Sequence, residues 1–165
     1  MPPLASRAIL FAVAVFISVV SQAAGGKKVQ LVSISFRVPF SLEVEGARTE
    51  EVFAMSAAKC ASYCPPIVMA LECRIASEPN CSELNRLPPK DLCAQASPET
   101  IVHSSVLRET RWDCGKVRDS DGSSQVGFSV FVLRDRQLVV SYLGAETDVS
   151  PAQFFEFVAK SIRLR

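Results

Sequence analysis

A chain of 165 residues has room for one ordinary domain with its own hydrophobic core. Its make-up, 48% hydrophobic and 21% charged, is that of a globular rather than a disordered protein. Eighteen basic against 17 acidic residues leave a net charge of +1, so nothing draws the chain electrostatically to nucleic acid or to an anionic membrane.

The first segment inflates the hydropathy. Arg7 and the free amine precede an apolar run, Ala8 to Val20, and Ser21-Gln22-Ala23 supplies small residues at the −3 and −1 positions of a cleavage site. The run is shorter than the ~20 residues a helix needs to span a bilayer. Residues 1–23 therefore read as a secretory signal peptide, and 24–165 as a single exported domain. An uncleaved anchor is the competing reading.

All six cysteines, Cys60, Cys64, Cys73, Cys81, Cys93 and Cys114, follow that segment. An even count in an exported chain predicts disulfides. Zinc would require close pairs such as C-x2-C, and the one close pair here is Cys60-x3-Cys64. The expected pairing is Cys81 with Cys93, Cys73 with Cys114, and Cys60 with Cys64. No metal or cofactor is expected.

In chain order, Val29 to Val38 is dense in β-branched residues and predicts one strand, with Gln30, Val32, Ile34 and Phe36 facing inward. Pro39 ends it, and Phe40 to Val44 predicts a second strand. Residues 48–64 predict a helix: Thr49 caps it, Glu50 and Glu51 occupy the first turn, and Phe53, Ala57, Cys60, Ala61 and Cys64 share one face. Ile67 to Ile75 alternates and predicts a strand, Val68, Ala70, Glu72 and Arg74 lying on one side of it. Ser77 to Ser97, with three prolines and two cysteines, reads as a long constrained loop, a kind often functional.

Ile101 to Leu107 and Thr110 to Val117 predict a pair of strands, and Arg118 to Ser124 a turn. GFSVFVL and QLVVSYL then flank the turn Arg134-Asp135-Arg136, a β-hairpin in which Val126, Phe128, Val130 and Val132 share a face with Leu138, Val140 and Tyr142. The last helix, 151–162, has the clearest local code. Ser150 is the N-cap, Pro151 stands at N1, Gln153 at N3 completes a capping box, and Val149 staples onto Phe154. The fold class that follows is α+β: a mainly antiparallel sheet flanked by two principal helices and held by disulfides.

Few residues promise chemistry. His103 stands beside Ser104 and Ser105, but on a strand neighbours point to opposite faces, and no carboxylate partner is evident. Asp119-Ser120-Asp121-Gly122 resembles the opening of a calcium loop, yet its glycine comes early and Val130 occupies the twelfth place. Glu43, Glu45, Glu50 and Glu51 cluster around a turn and helix start, where acids are favoured anyway. Cys60-x3-Cys64 is not the C-x2-C redox motif. Trp112 and Tyr142 read as core aromatics rather than partner-facing anchors. No phosphate loop, nucleophile elbow or zincin motif occurs.

Three stretches together, FRVPFSLEVE, FSVFVLRDRQLVVSYLG and SPAQFFEFVAKSIRL, resemble the PsbP-like α/β sandwich proteins, including small exported members such as the DcrB family. The six cysteines and the polar middle depart from that pattern. The resemblance implies a curved antiparallel sheet flanked by helices and a non-enzymatic role in assembly, envelope upkeep or binding. The expectation is thus a periplasmic or secreted module that binds another protein, in one version an immunity or inhibitor protein acting on a toxic enzyme. Its contact surface would be the cysteine-tied loop, with Glu83, Asn85, Arg86, Lys90 and Asp91. The alternative is a small-molecule-binding or envelope-maintenance protein that uses the concave face of the sheet. A hydrolase built around His103 ranks below both.

Overall fold

The computed structural model describes residues 26–39, 42–45, 51–56, 66–75, 93, 95–119 and 122–165, with 42–45, 51–56 and Asp119 described as backbone only. The expected leader, Cys60, Cys64, Cys81 and the expected contact residues Glu83, Asn85, Arg86, Lys90 and Asp91 lie outside the described residues.

Two antiparallel sheets and one helix make up the described fold. The strands are β1 (Lys27–Gln30), β2 (Ile34–Val38), β3 (Leu42–Glu45), β4 (Glu51–Ser56), β5 (Ile67–Arg74), β6 (Glu99–Val102), β7 (Leu107–Asp119), β8 (Gly122–Leu133) and β9 (Arg136–Ala145). Helix α1 (Pro151–Ser161) and strand β10 (Arg163–Leu164) follow. The large sheet has the order β3-β4-β5-β9-β8-β7-β6, and the small one β1-β2-β10.

Helix α1 and the small sheet cover one face of the large sheet. Phe154, Phe155 and Val158 of α1 meet Phe131, Leu138, Val140 and Tyr142 of the large sheet and Ile34, Phe36 and Val38 of the small one in a single core. Burying each such side chain contributes about 1.5–3 kcal/mol. The helix seats closely because Gly127 on β8 leaves room: a Cβ there would lie 2.5 Å from Pro151 Cβ. Its start is as expected, with Ser150 Oγ accepting from Gln153 N and the Gln153 side chain accepting from Ser150 N. A smaller cluster on the opposite face gathers Cys93, Val126 and Phe128.

Four expectations are corrected. The second helix, over 48–64, is not found where the chain is described: Glu51–Ser56 is a strand paired from Glu51↔Leu71 to Met55↔Ile67. β5 has β9 on one side, and its other edge carries a row of backbone donors and acceptors that β4 pairs. That non-local demand overrides helical spacing.

Val29 to Val38 is a hairpin rather than one strand, with Leu31 N donating to Ile34 O across the turn. The turn inverts the alternation, so Val29 and Leu31 are buried with Ile34 and Phe36, whereas Gln30 and Val32 are exposed.

In the β8–β9 hairpin, Leu133 pairs with Arg136, so the turn is the two residues Arg134 and Asp135. One residue fewer in the turn swaps the faces. Phe131 stands opposite Leu138, Ser129 opposite Val140 and Gly127 opposite Tyr142, and these form the inner face; Val126, Phe128, Val130 and Val132 belong to the other.

Cys93 is bonded to Cys114, with Cα atoms 4.6 Å apart, which overturns the pairings of Cys81 with Cys93 and of Cys73 with Cys114. Cys73 is disulfide-bonded as well. A bulge in β7 brings Cys114 to its partner. Register shifts between Asp113 and Lys116, Gly115 takes a φ of 77°, and Gly115 N donates to Asp113 Oδ1 at 3.0 Å.

Candidate functional site

The β6–β7 turn is displaced from its expected place, and the chemistry follows it. His103 to Val106 form the turn, with His103 N and Ser104 N both donating to Leu107 O, so Arg108 and Glu109 lie within β7. Glu109 and Arg111, two apart on a strand, share the inner face. Arg111 stands opposite Ser129 on β8, and Glu109 opposite Phe131. The His103 ring folds back over that pair, its centroid 6.5 Å from the Phe131 ring.

His103 therefore does have a carboxylate partner, contrary to the expectation from sequence. Its Nε2 lies 2.5 Å from Glu109 Oε2, which also accepts from Arg111 Nη2 at 3.0 Å. Glu109 Oε1 accepts from Arg111 Nε and from Ser129 Oγ, each at 2.7 Å. Burial alone would raise the Glu109 pKa, but the bonds from Arg111, Ser129 and His103, with the guanidinium charge, outweigh it and hold the carboxyl below its ordinary value of 4.5. An ionised carboxylate only accepts, so His103 Nε2 carries a proton. Two oxygens with two donors each use the whole acceptor capacity of the carboxylate. The cluster fixes the turn and the imidazole; it leaves Glu109 no lone pair with which to take a further proton. Arg111 also sits 5.9 Å from the Phe155 ring centroid, which ties the cluster to α1.

Next to this cluster, one end of the space between sheet and helix opens into a groove of about 580 Å³. Its floor is apolar: Leu107 and Leu133, paired across β7 and β8, face Ala159, Ile162 and Leu164 from the end of α1 and β10. Its rim carries His103, Arg134, Lys160 and Arg163, with no acidic residue among the lining side chains described. Lys160 pairs with Glu156 along the helix at 2.7 Å, and Arg163 Nη1 donates to Ile162 O at 2.6 Å. Val106, 50% exposed, forms the lip on the turn side. Among the described side chains, α1 and the small sheet pack over the inner face of β5, β9 and β8, and the groove lies at the end of that packing.

The remaining sequence candidates take structural places or fall outside the described residues. Trp112 packs against the Cys93, Val126 and Phe128 cluster, and Tyr142 is buried in the main core. The side chains of Glu43, Glu45 and Glu51, and residues Glu50, Ser120 and Asp121, are outside the description. Among the described residues no three His, Cys, Asp or Glu side chains gather to hold a metal ion, and no helix is long and apolar enough to cross a membrane. Sequence reasoning missed the Glu109 cluster and the groove. The available signal was Glu109-x-Arg111, opposite charges at the spacing that shares a strand face.

No protein-family model matches the sequence, and no curated protein matches it. Among solved structures, a crystal structure from Bacteroides thetaiotaomicron matches with a TM-score of 0.51 at 9% identity, over 85% of this chain. At that identity the likeness is one of fold alone. The match spans about half, 48%, of that protein's chain.

Proposed function

We propose that this is an exported, non-enzymatic binding protein that holds a small ligand in the groove at the open end of its core. The groove itself carries the reading: apolar floor, cationic rim and a volume within the roughly 300–1,000 Å³ usual for small-molecule sites. The saturated Glu109 cluster supports it, because four bonds on one carboxylate hold the groove's His103 wall rigid. The disulfides fit an oxidising compartment, periplasmic or extracellular, and the resemblance to PsbP-like exported proteins points the same way.

Native mass spectrometry of the protein purified mildly from its own source tests the reading. A small molecule released on unfolding, and absent from Val106→Trp, is the expected result. A chain that never carries or takes up a small ligand would sink it.

One observation favours a second reading, the protein-binding inhibitor. Cys93 anchors the end of the 77–97 segment onto β7, which is how a contact loop is held in shape. A stoichiometric protein partner on pull-down, indifferent to Val106→Trp, would shift the weight there.

A further inference from the structure

We infer that the groove takes a single-chain anionic amphiphile: an unbranched aliphatic chain ending in a carboxylate, bound as a free monomer. This rests on the groove being a ligand site and adds the chemistry of what enters it. Leu107, Leu133 and Ile162 belong to the main core and are also the floor, so apolar surface runs without a break from the interior to the opening. A hydrocarbon chain laid there exchanges water for apolar contact along the floor, which is what drives such binding.

The head group is set by the rim. Arg134 comes from the β8–β9 turn, Lys160 from the last turn of α1 and Arg163 from β10, three separate elements whose cations converge on one opening. Lys160 shares its charge with Glu156 on the helix, so Arg134 and Arg163 carry most of the positive charge at the opening. A point-charge ammonium and two guanidinium forks suit a carboxylate at the mouth. The source is a monomer and not a bilayer surface, because the floor is recessed: Leu107, Leu133 and Ile162 are at most 7% exposed, within reach of a chain that enters but not of a lipid surface that lies across the opening.

The test titrates dodecanoate, below its micellar concentration, into oxidised protein purified after export of the full chain, by isothermal calorimetry. Saturable one-to-one binding is expected. It should weaken at least about five-fold in the surface double variant Arg134→Glu/Lys160→Glu, and by a similar factor when dodecanol replaces dodecanoate. Arg163→Gln serves where the double variant does not fold, judged by circular dichroism. Equal affinity of a folded double variant, or binding confined to phosphatidylglycerol vesicles, would overturn the inference. Dodecanol binding as tightly as dodecanoate would overturn the anionic head group while leaving the groove as a ligand site. Loss of both probes from a protein that still carries a different small ligand, displaced by Val106→Trp, would overturn the amphiphile and keep the site.

Discussion

Glu72 and Glu109 lie in one cross-strand rank on the inner face of the large sheet, with Leu138 and Phe131 between them. Each is nearly inaccessible, at 1% exposed, and each is satisfied by a different neighbour layer. Glu109 binds Arg111, Ser129 and His103, within the sheet and its turn. Glu72 reaches across to the small sheet, accepting from Ser33 N and Ile34 N at 3.0 Å, with Arg136 Nη1 at 3.4 Å behind it.

The two carboxylates should therefore fail differently. Either change to glutamine strips the charge from a buried cluster and strands an arginine, costing about 3 kcal/mol in urea denaturation. Hydrogen exchange separates them. Glu72→Gln should speed exchange at the Ser33 and Ile34 amides beyond the global change, and Glu109→Gln should not. Equal local acceleration in both variants would show that Glu72 does not clamp the small sheet.

Acid should weaken the fold through Glu109. Its folded pKa lies below the ordinary 4.5, so the stability it contributes is complete above that value and is lost as pH falls through the folded one. The thermal midpoint of the parent should drop between about pH 5 and pH 3, and Glu109→Gln, already less stable, should show a shallower drop over the same window. Parallel curves would assign the acid sensitivity to other carboxylates.

Gly144→Ala should cost about 2 kcal/mol or more, by forcing a packed ring to move. A Cβ at that position would lie 2.6 Å from Tyr142 Cζ. The ring it would displace is stacked on Phe154 with centroids 4.5 Å apart, and its hydroxyl donates to Val149 O at 2.9 Å, just before the helix cap. Burial, with the Asp148 charge adding, keeps that hydroxyl protonated well above its ordinary pKa of 10, so it remains a donor at neutral pH. Near-ultraviolet circular dichroism should report the loss of tyrosine packing; an unchanged signal and midpoint would mean the ring is not locked.

Arg134→Gly should stabilise the fold by about 1 kcal/mol, because Arg134 holds a φ of 55°, where a Cβ is costly and glycine is not. On the inference above, the same change removes one rim cation and weakens dodecanoate binding. A variant more stable yet poorer at binding is the expected combination, and denaturation beside calorimetry checks it.

What sequence discloses here follows how local each feature is. The α1 cap is written in four consecutive residues, Ser150 to Gln153, and forms as read. The alternation of β5 is equally local, and Val68, Ala70 and Glu72 share its buried face. Glu51 to Ser56 shows the opposite case: helical spacing gave way because the edge of β5 needed a partner. The candidate site failed for a similar reason. Placing the turn after Leu107 instead of at His103 put Glu109 outside the strand, and the His103–Glu109 pair depends on that placement. The groove could not be read at all, since its floor joins residues from β7, β8, α1 and β10 that no local pattern links.

The small sheet also has a temporal meaning. β2 finds one neighbour in β1 and the other in β10, and Arg165 Nη1 reaches Leu31 O across 134 residues of sequence. Its opening hairpin is made early in synthesis but remains an unfinished edge until the distant segment exists to close it. A chain wired this way has high contact order and commits late to its native state.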